Sequence, residues 1–296
     1  MISDLPFPII DVHTHLMPER LFQAVRRYFR AHLWPPWYDG PSEVLVPHLL
    51  EAGVDRFVFM PYAHRGGMAE SLNHWVANVQ ATYTPHAIAF GTFHPDDAAH
   101  LPVLVDEAFG KLGLAGAKLH PQVGRFALDD PRLFPLYERA TQDGKILLIH
   151  AGRRPEPNEF VGVRALARLL RRFPRLTVVV AHMGGDEFEA FFDLCGLYDG
   201  VHLDTAMVFN DYLGGPPRFE RVLEFQDRVL FGSDFPNIPY RLETAIQAIR
   251  NLRLGQVMEE KLFCTNAARV LGLDLATIHA GDMFNPATYD ACPGAR

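Results

Sequence analysis

The sequence predicts a (β/α)8 barrel, and three observations carry that prediction. Short apolar runs recur about every 30 residues, each followed by polar residues and then a helical stretch, as in repeated βα units of a parallel sheet. Two of the runs, Ile146-Leu147-Leu148-Ile149 and Thr177-Val178-Val179-Val180, are continuous rather than alternating, so both faces of those strands must be covered. Eight such units fit a 296-residue chain as one closed barrel. A doubly wound open sheet ranks second: no Gly-x-Gly-x-x-Gly follows the first strand, and the Gly113–Gly116 pair is spaced wrongly for one.

The opening strand is the run Phe7-Pro8-Ile9-Ile10-Asp11-Val12-His13-Thr14-His15, apolar and β-branched until it turns polar. Residues 16–41 then form an insertion, a helix over Pro18–His32 followed by Trp34-Pro35-Pro36-Trp37-Tyr38-Asp39-Gly40-Pro41, large enough to lie over a site as a lid. Ser42 is expected to cap a helix over Glu43–Ala52 that stops at Gly53. The remaining strands are read as Val54–Met60, His86–Phe93, Leu114–Leu119, Lys145–Ile149, Leu176–Ala181, Val201–Leu203 and Arg228–Phe231. Between and after them come helices at Gly67–Tyr83, Asp97–Lys111, Pro131–Asp143, Phe160–Phe173, Asp186–Leu197, Pro217–Phe225 and Arg241–Arg250. Helical segments Val257–Leu262 and Thr265–Leu271 close a single domain over residues 1–296, with 273–296 as a tail.

Composition narrows the partners. A hydrophobic content of 48% supports a large core, while a net charge of −7 and a pI near 6.0 argue against a nucleic-acid surface or a polybasic membrane anchor. Small-molecule substrates are the expected partners, and a homodimer is left open. Cys195, Cys264 and Cys292 are scattered and odd in number, which fits free thiols of a cytoplasmic protein; no export signal or membrane span is expected. Neither a Gly-x-Ser-x-Gly elbow nor a Walker loop occurs.

The residues just past each strand carry the most information. In order, the strand ends bear His13 and His15, Tyr62 and His64, His94, Lys118 and His120, His150, His182, Asp204, and Ser233 with Asp234. With 14 histidines in 296 residues, composition alone would not place one after most strands. In a (β/α)8 barrel those ends share one face, where active sites lie. Strand alternation points His13 and His15 to the same side, presenting two imidazoles that suit one ion of the zinc class. Ile-His150-Ala-Gly and Ala-His182-Met-Gly-Gly each set an imidazole at the lip of an apolar strand, with glycines that permit close approach. A carboxylate at Asp234, atop a buried strand, needs a compensating charge or metal.

Together these residues resemble the amidohydrolase superfamily: Asp-Val-His13-Thr-His15, Lys118 ending strand four, His150, His182 and Gly-Ser-Asp234, in that order. Gly-Ala-Lys118-Leu-His120-Pro, Ala-His182-Met-Gly-Gly and Leu-Phe-Gly-Ser-Asp234-Phe-Pro look most like the amidohydrolase-related branch that includes aminocarboxymuconate-semialdehyde decarboxylase. The resemblance implies that His13, His15, His150 and Asp234 hold one divalent ion, with zinc in first place, and that His182 and Asp234 are catalytic through polarisation and proton transfer. In binuclear members the strand-four lysine is carboxylated, so a second ion would require that modification of Lys118. Lys118, His120, Arg153, Arg154, Tyr62 and Trp37 are the substrate-binding candidates, the two arginines as a clamp for a carboxylate. Three functions remain in play: hydrolysis by a metal-activated water first, then non-oxidative decarboxylation of an aromatic or muconate-like acid, and third a non-catalytic binder with a structural metal.

Overall fold

The apolar runs form strands and the amphipathic stretches helices, with at least one helix between successive strands, over the residues that the computed structural model describes, 5–210, 212 and 215–278. The strands are β1 (Ile9–Thr14), β2 (Val54–Phe59), β3 (Ala87–Thr92), β4 (Gly116–Leu119), β5 (Ile146–Ile149), β6 (Thr177–Val180), β7 (Val201–Asp204) and β8 (Val229–Leu230). They pair in sequence order, all parallel. The segment after β8 returns to β1: the Val12 amide donates to the Phe231 carbonyl at 2.9 Å, and the Asp234 amide to the His13 carbonyl at 2.8 Å. A nearly closed (β/α)8 barrel results.

The helices are α1 (Glu19–His32), α2 (Ser42–Glu51), α3 (Ala69–Thr82), α4 (Leu101–Asp106), α5 (Pro121–Gly124), α6 (Phe134–Asp143), α7 (Val163–Arg172), α8 (Phe188–Leu197), α9 (Phe219–Glu224), α10 (Leu242–Arg250), α11 (Gln256–Glu260), α12 (Asn266–Leu271) and α13 (Leu275–Ile278). Covering both sides buries the Ile146–Ile149 run completely, and each such Leu or Ile contributes about 1.5–3 kcal/mol relative to exposure. Ala267, Val270 and Leu271 of α12 share a small apolar pocket with Val12, Val58, Phe90, Leu148 and Leu230.

Several boundaries differ from expectation. Pro41, not Ser42, occupies the cap position of α2, and no side chain caps that helix; Ser42 is buried as its first residue. The helix expected over Asp97–Lys111 is α4 followed by a wider turn over Glu107–Lys111, and α5 is a short helix that polar loop residues did not announce. Cys195 and Cys264 are free, buried thiols, whereas Cys292 and most of the 273–296 tail lie outside the described residues. Among the described residues no helix is long and apolar enough to cross a membrane.

The insertion is anchored to the end of β8. Arg26 of α1 is wholly buried and donates to the Asn237 side-chain oxygen at 3.0 Å and the Pro236 carbonyl at 3.1 Å. Trp34 donates from its indole nitrogen to the Asn237 carbonyl at 2.7 Å, and the Trp37 amide to the Ile238 carbonyl at 2.8 Å.

Candidate metal centre

β1 and the residue after it place Asp11, His13 and His15 in the barrel, and the two imidazoles are orientated by partners from other strands. His13 donates from Nδ1 to the Asp204 carboxylate of β7 at 2.9 Å, and His15 donates from Nδ1 to the Met60 carbonyl after β2 at 3.0 Å. Both rings therefore present Nε2 as a lone pair. These two nitrogens lie 3.1 Å apart, and Asp234 Oδ1 stands 3.1 Å from His15 Nε2 and 3.5 Å from His13 Nε2. Burial lowers both imidazole pKa values, which keeps the rings neutral at physiological pH. Burial alone would raise the Asp234 carboxyl; contact with His15 and the nearby His13 and His182 reverse that and hold it below the usual carboxylate range.

Three acceptors converging on one point inside a protein call for a cation. Neighbouring ligands on one ion at about 2.0–2.2 Å stand roughly 3 Å from one another, which the separations here match. His13, His15 and Asp234 thus fit a divalent metal by donor type and by spacing. Lys118 brings a second positive charge: wholly buried, its Nζ lies 3.2 Å from His13 Nε2, and burial lowers its pKa to about 8 against the pull of Asp234 and Asp204.

His182 is set by two bonds, its amide donating to Asp204 Oδ1 at 2.8 Å and its Nδ1 to the Ala206 carbonyl at 2.9 Å. Asp204 thereby orientates two histidines at once, a role its position at a strand end did not reveal because the partners lie on other strands. Asp11 accepts from the amides of His13 and Ser233 at 3.0 and 3.1 Å, tying β1 to the Asp234 loop; burial raises its pKa to about 7.

His150 sits beside His182, ring centroids 5.1 Å apart, and stacks on His120 at 4.2 Å. Its Nε2 donates to the Arg154 carbonyl at 2.8 Å, which ties the ring to the loop after β5 and leaves it outside the His13, His15 and Asp234 cluster. The glycines after these histidines do allow close approach: a Cβ on Gly152 would lie 2.4 Å from the Gly184 carbonyl. Tyr62 meets His15 edge to face at 5.7 Å, and burial pushes its phenol up so that it stays protonated.

All of these rings line one cavity of about 540 Å³. One wall is apolar, formed by Leu21, Val25, Phe29 and Trp34 of the insertion; His64, Arg125 and residues 155–160 complete the opening. Three substrate-binding candidates do not line it. Arg153 and Arg154 turn outward to Glu187 and Asp186, each at 3.5 Å, because the loop after β5 aims their side chains at the segment after β6. Trp37 is 61% exposed, and Trp34 takes the place on the wall that the aromatic cluster suggested for it.

An amidohydrolase family model matches residues 10–273. The chain belongs to the amidohydrolase family. This amidohydrolase is 24% identical over 242 residues, 70% of its length and 67% of the relative's, to 2-amino-3-carboxymuconate-6-semialdehyde decarboxylase of Dictyostelium discoideum. Its fold is that of an uncharacterised TIM-barrel protein from Bordetella bronchiseptica, with 22% identity, a TM-score of 0.73, and 90% and 99% of the two chains covered. It is also that of 5-carboxyvanillate decarboxylase from Novosphingobium aromaticivorans, solved with manganese and 4-hydroxy-3-methoxy-5-nitrobenzoic acid, with 14% identity, a TM-score of 0.67, and 92% and 97% covered. The amidohydrolase is thus an enzyme whose relatives include decarboxylases.

Proposed function

We propose that this enzyme is a divalent-metal-dependent decarboxylase that removes carbon dioxide from a small aromatic or muconate-like acid without oxidising it. The observation that carries the reading is the convergence of His13, His15 and Asp234 beneath a cavity with an apolar, partly aromatic wall. The decarboxylases among its relatives rank this reading above hydrolysis, which the sequence alone put first.

His13 and His15 through Nε2 and Asp234 through a carboxylate oxygen would hold the ion, whereas His150, the fourth ligand that the sequence suggested, stands beside His182 outside that cluster. Once bound, the ion supplies Lewis acidity towards a substrate oxygen. Zinc suits the two imidazoles, and the manganese with which the Novosphingobium enzyme was solved supports a divalent ion without selecting zinc.

In the reaction the carbon–carbon bond to the carboxylate breaks, carbon dioxide leaves, and one proton enters at the carbon it vacates. Lys118 offers the acid a deeply buried cation. His182, whose Nδ1 donates to the Ala206 carbonyl, presents Nε2 as the nitrogen through which the proton passes to that carbon. Tyr62 offers a neutral hydroxyl to a substrate oxygen, and Val25, Phe29 and Trp34 hold the carbon skeleton and exclude water.

The test is headspace carbon dioxide from purified protein supplied with zinc or manganese and a panel of hydroxybenzoates and muconates. Release that disappears in His182→Asn supports the reading. Cleavage of esters or lactones with no carbon dioxide from any acid would replace it with hydrolysis.

A further inference from the structure

Six non-glycine residues among those described hold a left-handed backbone: Arg125, His182, Met183, Met207, Asp234 and Arg253. Side chains with a Cβ adopt that conformation at a steric cost, and residues held so gather at functional sites. Four of them, Arg125, His182, Met207 and Asp234, line the cavity, and Met183 directly follows His182. His182 and Asp234 belong to the centre described above. Arg125 has no part in it.

Arg125 ends α5 at φ 56° and ψ 49°, with its amide donating to the Pro121 carbonyl at 2.7 Å. The residue before it is fixed as well, the Gly124 carbonyl lying 3.0 Å from His94 Nε2. Gln122 of the same helix donates to the Glu156 carbonyl, and Asn158 donates to the Gln122 carbonyl at 3.0 Å, which clamps α5 to the rest of the opening. The backbone is thus held where a glycine would sit more easily, yet an arginine stands there.

Among the described residues Arg125 is the only arginine lining the cavity, and its guanidinium has no hydrogen-bond or ion-pair partner. Glu156 and Glu159 line the same opening; Glu156 accepts the Tyr28 hydroxyl from α1, and neither pairs with Arg125. The cavity therefore has two cations at different depths, Lys118 wholly buried beside His13 and Arg125 exposed at the rim. A ligand with one acidic group would satisfy only one of them.

We propose that Arg125 reads an anionic group at the end of the substrate remote from the metal centre, so that the preferred acids carry a second carboxylate or an equivalent anion. The fork of a guanidinium suits that group, which it binds through two parallel hydrogen bonds. The identity of the reacting end rests on the decarboxylase reading; recognition at Arg125 does not require turnover.

The experiment is calorimetric titration of benzoate and of isophthalate into the manganese-supplemented protein and its variants. The unmodified protein is expected to hold isophthalate at least about tenfold tighter, and Arg125→Gln to erase that preference while leaving benzoate within about twofold. Arg125→Gly should erase it too, with a thermal midpoint equal to or above that of the unmodified protein, since glycine relieves the left-handed conformation. Equal affinity for the two acids, or a preference that survives Arg125→Gln, would overturn the proposal. A preference that behaves as expected without carbon dioxide from either acid would count against decarboxylation alone and leave Arg125 in its role.

Discussion

The two sides of the cavity are built on opposite plans. Over β1 and β7 the groups that face the centre are held by partners: His13 by Asp204, His15 by the Met60 carbonyl, and Asp204 by the amides of His182 and Ala206. Over β4 and β5 the polar groups are largely unspoken for: His120 Nδ1 is buried without a partner, Arg125 has none, and His150 keeps one nitrogen free. The first side fixes atoms in place before anything binds, as chemistry at a metal demands. The second leaves donors and acceptors for the substrate to satisfy.

The largest effect expected on that contrast is at the fixed side. Asp234→Asn should lower carbon dioxide release by about 10²–10⁴-fold with the barrel's circular dichroism unchanged; near-normal turnover would make the two sides equivalent. Removing metal with dipicolinate should abolish release and leave the fold, and zinc or manganese should restore it. Melting on chelation would instead make the ion structural. Asp204→Asn, which touches no substrate, should weaken metal binding by about 10–100-fold in competition with a chromogenic chelator, because His13 loses its orientating carboxylate. Arg153→Ala, outside the cavity, should leave both metal and acid binding within about twofold.

The smallest effect concerns stability alone. His202, buried with an unpartnered Nδ1, has its pKa lowered by burial to about 4. The unfolded chain takes up that proton first, so stability is intact above about pH 6.5 and declines as acid lowers the pH towards 4. Thermal midpoints across that range should fall less steeply in His202→Leu.

The barrel was legible because its evidence is local: periodic apolar runs, and glycines where helices stop. The convergence of His13, His15 and Asp234 on one rim could be read because the closed barrel turns positions along the chain into positions around a circle. What escaped depended on side-chain direction or on partners distant in sequence. Arg153 and Arg154 stood close to His150 and looked like a clamp, but two acidic residues after β6 draw them outward. Arg125 escaped because α5 is a single short turn, and nothing in Pro121-Gln122-Val123-Gly124 announces a left-handed residue next. Asp204 was visible as a strand-end carboxylate, whereas its hold on both His13 and His182 exists only in three dimensions.

The burial of Arg26 constrains how molecules enter. Its guanidinium donates to Pro236 and Asn237, just beyond Asp234, so the middle of α1 cannot swing outward without stranding a charge in a dry contact. Two residues further on, around the side of the same turn, the exposed Tyr28 hydroxyl donates to Glu156 across the mouth of the cavity. One turn of helix thus joins a fixed post to a surface latch, so a change at the latch need not disturb the geometry of the reaction.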